Sequence, residues 1–370
     1  MKQTGKTRIG IVGMGLMGTG HGRCLRNGLV PGAVLAAACD PDRRQAGEFP
    51  GLAWFDDVPA LLRSGTVDAV VIATPHYAHT TAGVAALKAG LHVLVEKPVS
   101  VHKADVLKLL GAHRSRRQIF AAMFNQRTDP SYLKLRAMVR GGKLGKIRRI
   151  NWIITDWFRP EAYYRHAGWR ATWAGEGGGV LLNQCPHNLD LFQWIFGMPS
   201  KVRGFCQFGR YHDIEVEDDV TAYFEYADGT TAVFIASTGE APGTNRLEVM
   251  GDRGRLVLEG GRLEFLRNKV SAAVFSRQSK EKFKAPPVQR IEVPLPPGTG
   301  GQHLGILKNF VRAIRRGEKL IAPAGEGLHS VELANAIILS ALENRTVDLP
   351  LSAPRYARLL ASLAHRSPKK

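Results

Sequence analysis

The stretch RIGIVGMGLMGTGHGRCL, Arg8 to Leu25, decides the fold of the first half of this chain. It opens on an apolar run, Ile9–Val12, and passes directly into Gly13-Met14-Gly15-Leu16-Met17-Gly18. This is G-x-G-x-x-G at a strand-to-helix junction. Gly13 permits the tight turn, Gly15 lets the backbone approach a pyrophosphate, and Gly18 lets the helix pack closely on the strand. The helix that starts at Leu16 and Met17 offers its free N–H groups to phosphate oxygens. The glycines alone are a weak signal, and the residues downstream strengthen them. A second apolar segment, Val34–Cys39, ends in Asp40, 22 residues after Gly18. A carboxylate there can accept hydrogen bonds from the adenosine ribose hydroxyls. Asp40 could also be a plain turn residue before Pro41, but strand, glycines, helix and acid in that order favour a dinucleotide site. Asp40 favours NAD over NADP, whose ribose phosphate it would repel, while Arg43 and Arg44 lie near enough to keep NADP open.

The pattern then repeats. Val67–Ala73 reads as a buried strand broken by Thr74-Pro75, His79–Ala89 as a helix, and His92–Val95 as a strand ending in Glu96-Lys97-Pro98. Alternating strands and helices imply a parallel sheet, and its strand ends point into the cofactor crevice. Thr74, Pro75, His79, Glu96 and Lys97 are therefore expected around the cofactor, together with Gly13, Gly15, Leu16, Met17, Gly18, Asp40 and Arg44. A surface lysine in a turn is the plain alternative for Lys97.

The second half changes character. EDDVTAYFEYADGTTAVFIASTGE alternates apolar and polar residues and turns at Asp228-Gly229, a strong hairpin signal. NRLEVMGDRGRLVLEGGRLEFL repeats the pattern, with turns at 251–254 and at Gly260-Gly261. These segments predict an antiparallel sheet. Helical patterns lie at Pro186–Phe196, Gln302–Arg316 and Gly327–Leu342. The division is placed at residues 1–124, a dinucleotide-binding domain with a parallel sheet, and 125–370, a second domain of α+β type that the resemblance described below makes the substrate-binding and oligomerisation domain.

Within the second half, LLNQCPHNLD (Leu181–Asp190) admits a metal site, a thiol nucleophile, or a histidine that passes protons. Pro186 suits the first turn of a helix, with Asn183 as a possible N-cap. Leu189, Phe192, Ile195 and Phe196 then form a buried stripe, and His187, Asp190, Leu191 and Trp194 another face. Cys185 and His187, two apart, do not share a helix face, and no further Cys or His cluster accompanies them. Zinc and thiol chemistry are disfavoured, no metal is expected, and Cys185 reads as packing. Asp190 is read as a partner of His187 or as a domain-interface residue. Five of the six tryptophans fall between Trp152 and Trp194, with Phe158, Tyr163 and Tyr164 among them. Rings stacked on the C–H faces of a pyranose would suit a sugar or cyclitol, and a domain core is the alternative.

Composition bounds the rest. A chain of 370 residues calls for two domains, and no apolar run is long enough to span a bilayer. The start, MKQTGKTRIGIVGMGLMG, is basic then apolar like a signal peptide, but glycines cut it and no cleavage site follows; Met1–Thr7 reads as a short frayed lead. Four widely spaced cysteines fit a reducing cytoplasm. The net charge of +19 is spread, and no nucleic-acid-binding motif accompanies it. A solvated basic surface is preferred, with neither nucleic acid nor membrane as partner.

The glycine motif, ATPHYAH, EKPVS, NQR at Asn125–Arg127, GEGGGVLLNQCPHNLDLFQWIFG and VMGDRGRLVLEG fall in an order that resembles the Gfo/Idh/MocA oxidoreductases, over nearly the whole chain. The resemblance implies a Rossmann domain followed by a large open sheet with helices on one face, used for homodimer or homotetramer contacts. It places Lys97 on the catalytic lysine and His187 on the catalytic histidine, from opposite domains of one cleft. The family often has an aspartate where this chain has Asn183, and Asn-Gln-Cys-Pro-His is taken as a subgroup mark. The implied activity is hydride transfer between NAD, or NADP, and a sugar-like alcohol or ketone, with Asn183, Arg127, Trp157, Tyr164, Arg170 and Trp173 around the substrate. Tyr163, Tyr164 or His166 would carry the proton if His187 did not. NAD-assisted glycoside cleavage without net redox, and a ligand-sensing regulator, remain the alternatives.

Overall fold

The computed structural model describes residues 5–165 and 168–367, so His166, the first four residues of the lead and the basic end beyond Ser367 lie outside the described residues. Six strands form the first sheet: β1 (Thr7–Val12), β2 (Ala33–Cys39), β3 (Ala53–Phe55), β4 (Ala69–Ile72), β5 (His92–Val95) and β6 (Phe120–Ala122). They run parallel in the order β3-β2-β1-β4-β5-β6. Helices cover both faces, which is why Ile9, Ile11, Val70, Val71, Val93 and Leu94 are all fully buried in uninterrupted apolar strands. The order reverses between β1 and β4, and the crevice for a ligand opens outside the carboxyl ends at that point.

Gly13 and Gly18 are fixed by space. Gly13 has φ +91°, and a Cβ there would lie 2.7 Å from the carbonyl carbon of Ala73. A Cβ on Gly18 would lie 1.8 Å from the Gly13 oxygen.

The second sheet has nine strands: β7 (Ile147–Ile154), β8 (Lys201–Phe208), β9 (Glu217–Glu225), β10 (Thr231–Ser237), β11 (Asn245–Gly251), β12 (Gly254–Glu259), β13 (Arg262–Asn268), β14 (Val288–Val293) and β15 (Val347–Asp348). Their order is β14-β13-β12-β11-β7-β10-β9-β8-β15. Neighbours are antiparallel except β7 and β10, which run parallel. The turns fall where the sequence signals them: Gly229 has φ +85°, and Gly260 and Gly261 have φ +55° and +74°. Along β9, Val220, Ala222 and Phe224 point into the core and Thr221, Tyr223 and Glu225 point outward, the period of two expected of a sheet with one covered face. Helix Gly327–Leu342 packs so closely on β8 that a Cβ at Gly204 would lie 2.4 Å from the Ile337 oxygen.

Two expectations are corrected here. Helix Gln302–Arg316, assigned to the second domain, buries Ile306, Leu307, Phe310 and Val311 in the Rossmann core. The chain thus returns to its first domain, and 125–370 is not one structural unit. An apolar stripe shows that a helix has a buried face but not which core it meets. Helix Pro186–Phe196 has no solvent side for His187 or Asp190: both faces are buried, Leu191 and Asp190 as fully as Leu189 and Phe192. Its N-cap is Cys185, and Asn183 instead ends the short helix Val180–Asn183.

Candidate active site

The glycine loop and Asp40 meet as neighbouring strand ends. Gly13 N donates to the Cys39 oxygen at 2.9 Å. Met14 N donates to Asp40 Oδ2 at 2.6 Å, and Asp42 N to Asp40 Oδ1 at 2.9 Å. The helix Leu16–Arg26 begins at Gly15 with no side-chain cap. A Cβ at Gly15 would meet nothing within 4 Å, and Leu16 is 88% exposed. Uncapped N–H groups, open space over the loop and a carboxylate at its flank fit a dinucleotide pyrophosphate and ribose. Thr74 Oγ1, two residues beyond β4, is buried without a partner. Pro75 caps helix His76–Lys88.

Other members of the expected cofactor set are engaged elsewhere. Arg44 pairs with Asp42 (Nε to Oδ2, 2.6 Å) and Arg43 with Asp56 (2.8 Å). His79 is a buried brace, its ring nitrogens lying 2.8 Å from the Pro98 oxygen and 2.9 Å from the Thr74 oxygen, which leaves no ring nitrogen for the cofactor. Glu96 is buried and its Oε1 sits 2.6 Å from His21 Nε2. Burial raises the Glu96 pKa, but His21 and Lys97 outweigh it and hold the carboxyl down at about 2.

Lys97 leaves β5 toward the second domain. Its Nζ donates to the Asn183 main-chain oxygen at 2.6 Å. Burial lowers the ammonium pKa, opposed by the carboxylates of Glu96 and Glu176. His187 stands on the adjacent helix, edge-on to Phe124 with ring centroids 6.5 Å apart. Its Nδ1 is buried with no partner. Burial, then the charge of Lys97, push its pKa down to about 3, so the ring is neutral across the physiological range. A neutral imidazole beside an ammonium can accept a proton while the ammonium stabilises developing oxyanion charge.

The turn that carries these groups is locked from below. Glu217, fully buried at the start of β9, accepts from Gly179 N at 2.8 Å and Leu181 N at 3.1 Å. A Cβ at Gly179 would lie 1.9 Å from the Glu217 oxygen, so the glycine run lets the turn sit directly on the sheet.

The expected substrate set divides. Asn183 and Arg170 reach the Lys97 cleft: the Arg170 guanidinium donates to Tyr163 Oη at 2.7 Å, and Tyr163 Oη donates to Asn183 Oδ1 at 3.3 Å. Tyr164 does not, because its hydroxyl donates to Thr238 Oγ1 at 2.9 Å inside the core. Trp173 is buried against Phe208. Trp157 packs on the second core with the Arg159 guanidinium over its ring. Arg127 has no exposed side-chain surface: it holds Asp190 in a bidentate pair (2.7 and 2.6 Å) and also bonds Glu326. Asp190 therefore partners Arg127, not His187. Sequence reasoning missed Glu176, His21 and His303. His303 begins the helix that returns to the Rossmann core, its ring 5.9 Å from that of His21, and nothing local in the sequence marks it.

Among the described residues no three His, Cys, Asp or Glu side chains group so as to hold a metal ion, and no helix is long and apolar enough to cross a membrane. Cys185 is completely buried, and burial pushes its thiol pKa far up. Since the thiolate is the reactive form, Cys185→Ala is expected to keep most of the activity, and thiol reagents should leave the folded enzyme active. Rapid loss of activity on alkylation, absent in Cys185→Ala, would restore the thiol as a functional group.

Residues 7–124 match the oxidoreductase family with NAD-binding Rossmann fold, and residues 132–257 match the GFO/IDH/MocA C-terminal domain. With the parallel sheet, its glycine crevice and the two-domain cleft, this defines an NAD-binding oxidoreductase. The chain belongs to the Gfo/Idh/MocA family. It is 27% identical to the myo-inositol 2-dehydrogenase of Thermotoga maritima, over 69% of this chain and 76% of that protein. It is 31% identical to the trans-1,2-dihydrobenzene-1,2-diol dehydrogenase of Bos taurus, over 67% and 72%. In structure it is similar to the WlbA dehydrogenase of Chromobacterium violaceum, solved with NADH and UDP-GlcNAcA, with a TM-score of 0.80, 26% identity and coverage of 95% and 98%.

Proposed function

We propose that this enzyme moves a hydride between NAD and a hydroxyl or ketone carbon of a sugar, sugar derivative or cyclitol. The observation that carries the reading is the meeting of Lys97 and the Asn183–His187 turn across the domain boundary, with Lys97 Nζ 2.6 Å from the Asn183 oxygen. A sugar hydroxyl is a weak acid, so its proton must leave as its carbon is oxidised. His187, neutral in the cleft, takes that proton. Lys97 donates to the same oxygen as charge develops on it. Asn183, Arg170 and Tyr163 form a polar wall suited to neighbouring hydroxyls. The inositol and the alicyclic dihydrobenzenediol in the relatives' names, and the UDP-GlcNAcA bound in the solved neighbour, support a cyclic hydroxylated substrate. A screen of NAD with a panel of sugars, uronic acids and cyclitols, read by NADH absorbance, tests this; no turnover with any member counts against it. Homo-oligomer contacts are placed on the open face of the nine-stranded sheet, where Phe205 is 53% and Tyr223 38% exposed.

Asp40 sets the cofactor preference in this reading. Its carboxylate lies at the ribose position, and Arg43 and Arg44 are paired with Asp56 and Asp42. NAD is expected to bind at least tenfold more tightly than NADP, a gap of about 1.4 kcal/mol, and Asp40→Ala should narrow it. Titration of both cofactors by protein fluorescence measures this, and tighter NADP binding by the unaltered enzyme would overturn the role of Asp40.

A further inference from the structure

Glu176 is almost completely buried, with 1% of its surface exposed, yet three donors converge on it. Ala171 N donates to Oε2 at 2.8 Å, Asn183 Nδ2 donates to Oε1, and the Arg170 guanidinium lies 3.8 Å away. Ala171 adopts φ +57°, an uncommon conformation for a residue with a Cβ, in presenting that N–H. Burial raises the Glu176 pKa, opposed by the Ala171 N–H, Arg170, the Asn183 amide and Lys97, and a group that meets only donors is satisfied as a carboxylate, the side chain that accepts and does not donate.

The effect is transmitted through Asn183. With its Nδ2 spent on Glu176, the carboxamide has one orientation, and its Oδ1 faces Tyr163 Oη. The same residue offers its main-chain oxygen to Lys97 Nζ. Of the two acids that bear on Lys97, Glu96 already has His21 as its partner. Glu176 is the acid on the other side of the cleft. The charged and titratable groups facing Lys97 and Glu176 are Glu96 on the strand end, His76 and His79 on the preceding helix, Arg170 on the loop, Cys185 and His187 on the turn and helix that follow Asn183, Glu217 beneath them, and His303 on the helix that returns to the first core.

Building on the catalytic reading above, we propose that Glu176 is a positioning residue of the cleft: it fixes the Asn183 amide and supplies the negative charge that keeps Lys97 protonated. The carboxylate this chain lacks at position 183 is thereby provided one hydrogen bond away. The pair Glu176–Asn183 is reversible in principle. In Glu176→Gln/Asn183→Asp the Gln amide donates to the Asp carboxylate, and the charge stays in the cleft.

The test reads the charge on Lys97 directly, on the full chain. Trace acetic anhydride labels amines only in their neutral form, so labelling of Lys97 against pH, followed by peptide mass spectrometry, gives its titration midpoint. Glu176→Gln is expected to lower that midpoint by about one unit, a tenfold rise in the neutral fraction at a fixed pH below it. The double swap should return it to within about 0.3 unit of the unaltered enzyme, and it preserves the buried pairing should Glu176→Gln alone not fold. An unmoved midpoint in Glu176→Gln, or a swap that leaves Lys97 as perturbed as the single variant, overturns the proposal. The labelling does not depend on turnover. Its failure therefore counts against Glu176 alone, whereas full activity in His187→Ala counts against the catalytic reading alone.

Discussion

Replacing His187 with alanine is expected to lower turnover by about a hundredfold to ten-thousandfold, the usual cost of a positioned acid–base group. Lys97→Ala should cost a similar factor through the loss of one electrostatic donor. NAD affinity should be nearly unchanged in both, because the glycine loop and Asp40 follow β1 and β2 while these side chains come from beyond the end of β5 and the helix Pro186–Phe196. The two effects should not add. The pKa of His187 is low partly because Lys97 is charged beside it, so each group works in the field of the other, and the double variant should be little slower than the worse single one. The Lys97 variant should also differ in its pH profile. Without the ammonium, the His187 pKa should rise from about 3, and the acid limb of turnover should move to higher pH. Steady-state kinetics over pH with the best substrate of the panel, plus NAD titration of each variant, measure all of this. Near-full turnover in His187→Ala would move the proton to another carrier, with Tyr163, hydrogen-bonded to Asn183, as the next group to replace.

The cofactor half is legible in the sequence because its signals are contiguous. Strand, glycines, helix and acid each report on residues a few positions away, and the tight contacts at Gly13 and Gly18 fall on glycines the motif singles out. Lys97 is legible as a strand end for the same reason. The second half of the cleft is assembled by contacts far apart in sequence, and local pattern says nothing of these. Tyr163 and Tyr164 are neighbours with the same chemistry, yet one faces Asn183 and the other Thr238; their order along the chain does not distinguish them. Aromatic density suggests a sugar platform, but Tyr164 and Trp173 serve the core. Glu176 lies in a glycine-rich run, where a lone acid looks like a turn residue until three donors are seen to surround it. His303 belongs to a helix whose apolar stripe is plain and whose destination is not.

Arg127→Ala is expected to destabilise the fold by about 3–5 kcal/mol, the cost of stranding one member of a buried ion pair. The family resemblance places Arg127 among the substrate contacts, and its surroundings point to a different job. The side chain has 0% exposure against 1% for Asp190, and its guanidinium bonds Asp190 twice, the Ile321 oxygen and Glu326. Asp190 lies one turn beyond His187 on the same helix, and Glu326 immediately precedes helix Gly327–Leu342. The pair therefore ties the start of the second domain to the helix that carries His187. Burial raises the Asp190 pKa against the opposing pull of Arg127, so removing Arg127 raises it further. A raised pKa gives stability that is present below the unfolded value, near pH 4, and is lost as pH rises through the folded value. The deficit of Arg127→Ala should accordingly be smaller at pH 5 than at pH 8. Replacing both partners, as in Arg127→Met/Asp190→Leu, removes the stranded charge and should recover much of the loss. Urea unfolding of the unaltered enzyme and both variants at the two pH values supplies the measurement. If Arg127→Ala unfolds like the unaltered enzyme and only raises KM, then Arg127 contacts substrate after all and the ion pair contributes little to holding the helix that carries His187.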